Sequence, residues 1–171
     1  HRMAAELDGL AELVCGAFSS DPVQSRSAGG DIYHLPASRA YPSFSAMLQA
    51  EQQLPAAQRM DFVVITTPNH LHFPVAEAAL RSGFHVMCDK PVTFSLQQAL
   101  DLQELIQATK LTFGLTHNYT GYAMVREARE LVRSGALGTI RRVNCEYLQG
   151  WLARSEADNK QAQWRTDPTR A

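Results

Sequence analysis

The stretch DFVVITTPNHLHFPVAEAALRSGFHVMCDKPVT, Asp61 to Thr93, decides the fold. Phe62 to Thr66 and Phe84 to Cys88 are apolar runs too short for a helix and rich in Val, Ile and Phe, so each predicts a buried strand. Between them Val75, Ala76, Ala79 and Leu80 fall at helical spacing, and Gly83 stands where that helix should stop. Two strands joined through a helix in this way pair in parallel by a right-handed crossover.

The same alternation continues outward. Leu13 to Phe18 and Leu111 to Leu115 read as two further strands, and Met47 and Leu48 mark a helix before Phe62. Leu96, Ala99, Leu102, Leu105 and Ile106 mark another, with Ser95 as its N-cap and Gln98 as the capping-box partner. Ser25 to Gly30 reads as a loop-like patch. Residues 1–118 therefore predict an α/β fold, a Rossmann-like doubly wound parallel sheet with helices on both faces. From Tyr119 the pattern changes. A helix from about Gly121 to Ser134 and a Gly135 to Gly138 turn lead into Thr139 to Gln149, where Val143, Cys145 and Tyr147 alternate with polar residues. Such a strand has one solvated face, so residues 119–171 read as the start of an α+β domain, with Trp151 to Ala171 as loop. His1 to Leu7 reads as the later part of an amphipathic helix without a cap, so the chain is expected to begin inside an element.

Composition narrows the function. The 171 residues carry 16 basic and 17 acidic side chains without a long run of one sign, which argues against nucleic acid or an anionic membrane surface as partner. Arg126, Arg129, Arg133, Arg141 and Arg142 are interspersed with Glu127, Glu130 and Glu146, as on a solvated face. No run approaches the length of a membrane span. Cys15, Cys88 and Cys145 are odd in number and widely spaced, as expected of reduced thiols in a cytoplasmic protein. His70 and His72 lack the cysteine or carboxylate neighbours of a metal site, so no metal is expected. No G-x-S-x-G elbow supports acyl transfer.

The chemistry sits at two strand ends. The carboxyl edge of a parallel sheet opens onto the crevice where ligands lie, so Thr67 to His72 and Asp89 to Val92 are expected to face one ligand. Pro68 fixes a backbone dihedral and removes a donor, while Asn69 offers both a donor and an acceptor. Lys90 ends an apolar strand, where its ammonium points into the crevice rather than into the sheet. There it can donate to, or take a proton from, a hydroxyl whose oxygen gains negative charge.

The TPN-x-x-H loop after one strand and the Asp89-Lys90-Pro91 triplet after the next resemble motifs of the glucose-fructose oxidoreductase and inositol dehydrogenase family, Gfo/Idh/MocA. The likeness runs on through LTHNYTGYAMVREARELVRSGALGTIRRVNCEYLQGW to Trp164-Arg165 and covers nearly the whole chain. Members usually carry glutamate where this chain has Asp89, which keeps the charge and loses one methylene of reach. The resemblance implies an NAD- or NADP-dependent dehydrogenase acting on a sugar, inositol or related polyol, assembled as a dimer or tetramer. It implies cofactor contacts from Thr67, Pro68, Asn69, His72, Asp89 and Lys90, with Lys90 as the catalytic group beside the nicotinamide and the substrate hydroxyl. His117, Tyr119, Trp164 and Arg165 are implied on the substrate side, although a hinge or packing role is equally open for His117 and Tyr119. The place that selects NAD over NADP falls at Ser19, with Arg26 close in sequence as a possible anion partner. The family's G-x-G-x-x-G would precede His1 and its D-x-G-x-H would follow Ala171. The chain is accordingly expected to be a fragment of a longer enzyme and to be inactive alone. A noncatalytic nucleotide-binding sensor or assembly protein on the same fold is the alternative.

Overall fold

A computed structural model describes residues 2–148, 150, 162 and 165–167. The helices are α1 (Arg2–Glu6), α2 (Pro22–Asp31), α3 (Phe44–Gln52), α4 (His72–Arg81), α5 (Leu96–Thr109) and α6 (Ala123–Arg133). The strands are β1 (Phe62–Ile65), β2 (His85–Asp89) and β3 (Phe113–Thr116), and they form one parallel sheet in the order β1-β2-β3. Phe62 pairs with His85 and Ile65 with Cys88, while Val86 pairs with Phe113 and Asp89 with Thr116, so the carboxyl ends of all three strands lie along one edge. This is the Rossmann-like α/β arrangement that the apolar runs predict.

Side chains alternate across the sheet. Val63, Ile65, Val86 and Cys88 are buried against Val75, Ala76, Ala79 and Leu80 of α4, Leu102 of α5, and Met47 and Leu48 of α3. Each fully buried aliphatic side chain in this layer contributes about 1.5–3 kcal/mol. On the opposite face Phe62, Val64 and Met87 remain 41%, 41% and 39% exposed. Among the described residues, therefore, the packed core lies on one side of the sheet. Local signals set the helix ends. The Ser95 hydroxyl accepts from the Gln98 amide at 3.3 Å, and Gln98 Oε1 returns to the Phe94 amide at 3.1 Å, one residue before the cap. Gly83 ends α4 with φ +83°, a conformation that favours glycine.

Four expectations are corrected. Leu13 to Phe18 does not join the sheet; it makes one isolated parallel bridge between Gly16 and Ala40, through Gly16 N–H to Arg39 C=O at 3.1 Å and Tyr41 N–H to Gly16 C=O at 2.9 Å. Ser25 to Gly30 is not loop but most of α2. Asp21 caps that helix by accepting from the Val23 and Gln24 amides at 2.8 and 2.9 Å, and Pro22 stands at its first turn. Its inward face is not apolar: buried Ser25 accepts from the Phe18 amide and donates to the Tyr41 carbonyl, and Gly29 lets Ala40 approach. Residues 139–148 form no strand, because no described segment offers them a ladder partner, and Val143 is 78% exposed. Most of the Trp151 to Ala171 tail lies outside the described residues; within it Ala162 and Arg165 are helical rather than loop, and Thr166 donates through both its amide and its hydroxyl to the Ala162 carbonyl at 2.9 Å.

A buried polar cluster ties the N-terminal third to the sheet. Glu51 of α3, fully buried, accepts from the Tyr41 hydroxyl at 2.8 Å, Arg39 Nη2 at 3.0 Å and the Met60 amide at 3.0 Å. Burial, with the Glu51 hydrogen bond and charge, pushes the Tyr41 phenol up to about 12. Burial first and the Glu51 charge second push the Cys15 thiol, which lies 3.6 Å from Met60 Sδ, up to about 12.

Candidate active site

β1 and β2 are neighbours and parallel, so the chain leaves both at the same edge of the sheet. After β1 it turns through Thr66 to Pro68, makes a 3-10 turn over Asn69–Leu71 and enters α4 at His72. After β2 it passes from Asp89 through Lys90 to Pro91, with the Lys90–Pro91 bond cis. His72 joins the two loops. Its ring is 1% exposed, with Nδ1 2.6 Å from the Pro91 carbonyl oxygen and Nε2 2.9 Å from the Thr67 carbonyl oxygen.

Lys90 is exposed, and its ammonium has no hydrogen bond or ion pair among the described residues. Its amide donates to Asp89 Oδ1 at 3.1 Å. The same Oδ1 accepts from the Thr116 hydroxyl at 2.6 Å, a short charge-assisted bond across the β2–β3 register. Thr116 carries no motif, and pairing register is not written in a single strand, so nothing in the sequence singles it out. Burial, then the Asp89 charge, push the neighbouring Cys88 thiol up to about 11, which holds it in the protonated, poorly nucleophilic form.

The loop after β1 fits a polar ligand. Thr67 Oγ1 and His70 Nδ1 are buried and have no hydrogen-bond partner, and the Asn69 carboxamide has none among the described residues. A buried hydroxyl left without a partner costs about 1–3 kcal/mol, which a hydrogen-bonding group of a ligand at that position would offset. Ser19, at the end of the Leu13 to Phe18 segment, accepts from the Asp21 amide at 3.1 Å and lies 3.5 Å from Gln24 Oε1. Asp21 itself is engaged in capping α2, and Arg26 is exposed on that helix.

Of the substrate-side residues, His117 directly follows β3, and its carbonyl accepts from the Thr120 amide and hydroxyl at 3.0 and 2.6 Å. Tyr119 is half-exposed, with its hydroxyl 3.1 Å from that of Tyr147 and its ring edge-on to Tyr122. The Tyr147 hydrogen bond raises the Tyr119 phenol above its ordinary value. Arg165 is exposed, and Trp164 lies outside the described residues. No described helix is long and apolar enough to cross a membrane.

Residues 8–130 match the family model described as "Oxidoreductase family, NAD-binding Rossmann fold", and residues 125–171 match the "GFO/IDH/MocA C-terminal domain". The uncharacterized oxidoreductase YfiI of Bacillus subtilis (strain 168) is 32% identical over 98% of this chain and 43% of its own length. The crystal structure of an inositol dehydrogenase homolog from Azotobacter vinelandii complexed with NAD+ superposes with a TM-score of 0.90 at 34% identity, covering 98% of this chain and 43% of that one. An inositol dehydrogenase homolog from the same organism, complexed with NADH and myo-inositol, gives a TM-score of 0.76 at 35% identity over 82% of this chain and 36% of that one. The chain thus spans less than half the length of these relatives. It belongs to the GFO/IDH/MocA family of NAD-binding oxidoreductases.

Proposed function

We propose, proceeding from that membership, that the full-length gene product interconverts a carbinol and a carbonyl on a sugar, inositol or similar polyol with NAD or NADP. The observation that carries this reading is Lys90: an exposed, unpartnered ammonium at the carboxyl end of β2, linked through His72 to the loop after β1. When bound, the nicotinamide supplies hydride acceptance and donation. Thr67, Pro68 and Asn69 bind the cofactor, with the unpartnered Thr67 hydroxyl and Asn69 carboxamide as its polar contacts. Lys90 holds the substrate oxygen and moves its proton as negative charge develops there, while Asp89 keeps a carboxylate beside it. Ser19 neither repels a 2′-phosphate nor holds a ribose diol as an acid does, so both cofactors are tested. His117, Tyr119, Trp164 and Arg165 contribute to the substrate side. In this reading residues 1–118 belong to the dinucleotide-binding domain and 119–171 open the substrate and oligomerisation domain of a cytoplasmic dimer or tetramer. The relatives solved with NAD+, and with NADH and myo-inositol, support the choice of cofactor and of polyols as the first substrates to try.

The test is growth of the reduced-nicotinamide absorbance band with the full-length gene product, NAD or NADP, and a panel of inositols, aldoses and polyols. Turnover on at least one is expected. Cofactor binding without turnover on any of them would instead favour a noncatalytic nucleotide sensor.

A further inference from the structure

We propose that Thr116 and His72 are positioning residues that clamp the backbone on either side of Lys90, so that its otherwise unrestrained ammonium projects from a fixed point. The proposal rests on the role given to Lys90 above. On the amino side, Thr116 Oγ1 donates to Asp89 Oδ1 at 2.6 Å, and that same oxygen receives the Lys90 amide at 3.1 Å. One carboxylate oxygen thereby ties the end of β3 to the Lys90 main chain. The hydroxyl also lies 3.3 Å from the Cys88 carbonyl, which keeps Thr116 against β2. On the carboxyl side, the Pro91 carbonyl oxygen is 2.6 Å from His72 Nδ1. The other ring nitrogen, 2.9 Å from the Thr67 carbonyl, refers that position to the loop after β1. With both ring nitrogens engaged by backbone and the ring 1% exposed, His72 acts as a strut between the loops rather than as a contact to cofactor.

The two arms of the clamp have different signatures. Among the described residues the Thr116 hydroxyl bonds only on the Lys90 side, so its loss should disturb proton handling more than cofactor binding. His72 holds both loops, so its loss should disturb both. The short bond from Thr116 sets where the Asp89 carboxylate sits.

The experiment uses the full-length gene product with the substrate found above, comparing Thr116→Val, Thr116→Ser, His72→Gln and Lys90→Ala. Val keeps the shape of Thr116 and removes the donor; Ser restores the donor. Thr116→Val should lower kcat roughly tenfold, as expected for a displaced catalytic group, with KM for the cofactor within about twofold and with Ser recovering most of the loss. His72→Gln should lower kcat and raise KM for the cofactor together. A second readout needs no turnover: the acylation rate of Lys90 in the cofactor-free protein, followed by peptide mass spectrometry. In Thr116→Val the tie from β3 to the Lys90 main chain is lost, so the acylation rate of Lys90 should depart from that of the parent, and Thr116→Ser should restore it. Unchanged kcat and unchanged Lys90 acylation in Thr116→Val would overturn the clamp, as would a serine variant no better than valine. Retained activity in Lys90→Ala would overturn the catalytic reading instead, leaving the acylation result to judge the clamp by itself.

Discussion

Replacing Glu51 by alanine should be among the most destabilising single changes in the described part of the chain. The carboxylate is fully buried and accepts three hydrogen bonds, from Tyr41, Arg39 and the Met60 amide. Its removal strands the Met60 N–H and leaves the Arg39 guanidinium without its anion, and breaking a buried pair from one side costs about 3–5 kcal/mol. The Arg39 side chain is 19% exposed and also donates to the Gln58 carbonyl at 3.0 Å, so the lower end of that range, about 3 kcal/mol, applies. For a domain of this size that corresponds to a fall of roughly 10 °C in Tm. Glu51→Gln keeps an acceptor for Arg39 and Met60 but loses the charge and sets an N–H2 donor where Oε1 accepts from the Tyr41 hydroxyl, which must turn to accept instead, so about 2 kcal/mol is expected. Urea unfolding followed by circular dichroism measures both, with a constant m-value as the check that midpoints report stability. A Glu51→Ala variant within about 0.5 kcal/mol of the parent, inside the range of an ordinary surface change, would refute the reasoning. So would a glutamine variant as unstable as alanine.

Stability should decline as pH rises from about 9 to 11. The folded state keeps the Cys15 and Cys88 thiols protonated to about 12 and 11, whereas the unfolded chain releases those protons near 9.0, so above that pH the unfolded state binds fewer protons and is favoured. Thermal midpoints across this window should fall, and less steeply in Cys15→Ala. Gly29→Ala should destabilise by about 1–3 kcal/mol, because the new Cβ would lie 2.5 Å from Ala40 Cβ, and this overpacking outweighs the helix propensity gained. Ala40→Gly in the same chain should recover part of that loss in a chemical denaturation series. Ser95→Ala should cost about 1 kcal/mol by releasing the Gln98 amide at the start of α5, read from the same denaturation midpoints.

The central crossover was legible because burial wrote it as composition. Val63, Ile65, Val86 and Cys88 needed apolar side chains, and the loop and triplet that follow those strands stand out by residue type. The elements that escaped are held by other forces. The inward face of α2 is Ser25 and Gly29, one a hydrogen-bonded hydroxyl and the other an absence of side chain, so no hydrophobic period marks it. Leu13 to Phe18 is apolar enough for a strand, yet a ladder needs a partner, and its backbone finds only the Arg39 to Tyr41 segment. Alternation at 139–148 fails for the same reason. The placement of Asn69 after β1 and of Lys90 after β2 could be read from the motif, whereas the Thr116 bond and the double engagement of His72 could not. Both depend on which strand or loop lies opposite, 27 and 19 residues away in the chain.

The most direct test of the account is the full-length gene product beside its Lys90→Ala variant, assayed for reduced nicotinamide on the responsive polyol, with cofactor affinity measured by titration in both. Loss of a proton-transfer group predicts a fall in kcat of about a hundredfold or more, larger than any loss of cofactor affinity. A Lys90→Ala variant that turns over at close to the parent rate would contradict the account.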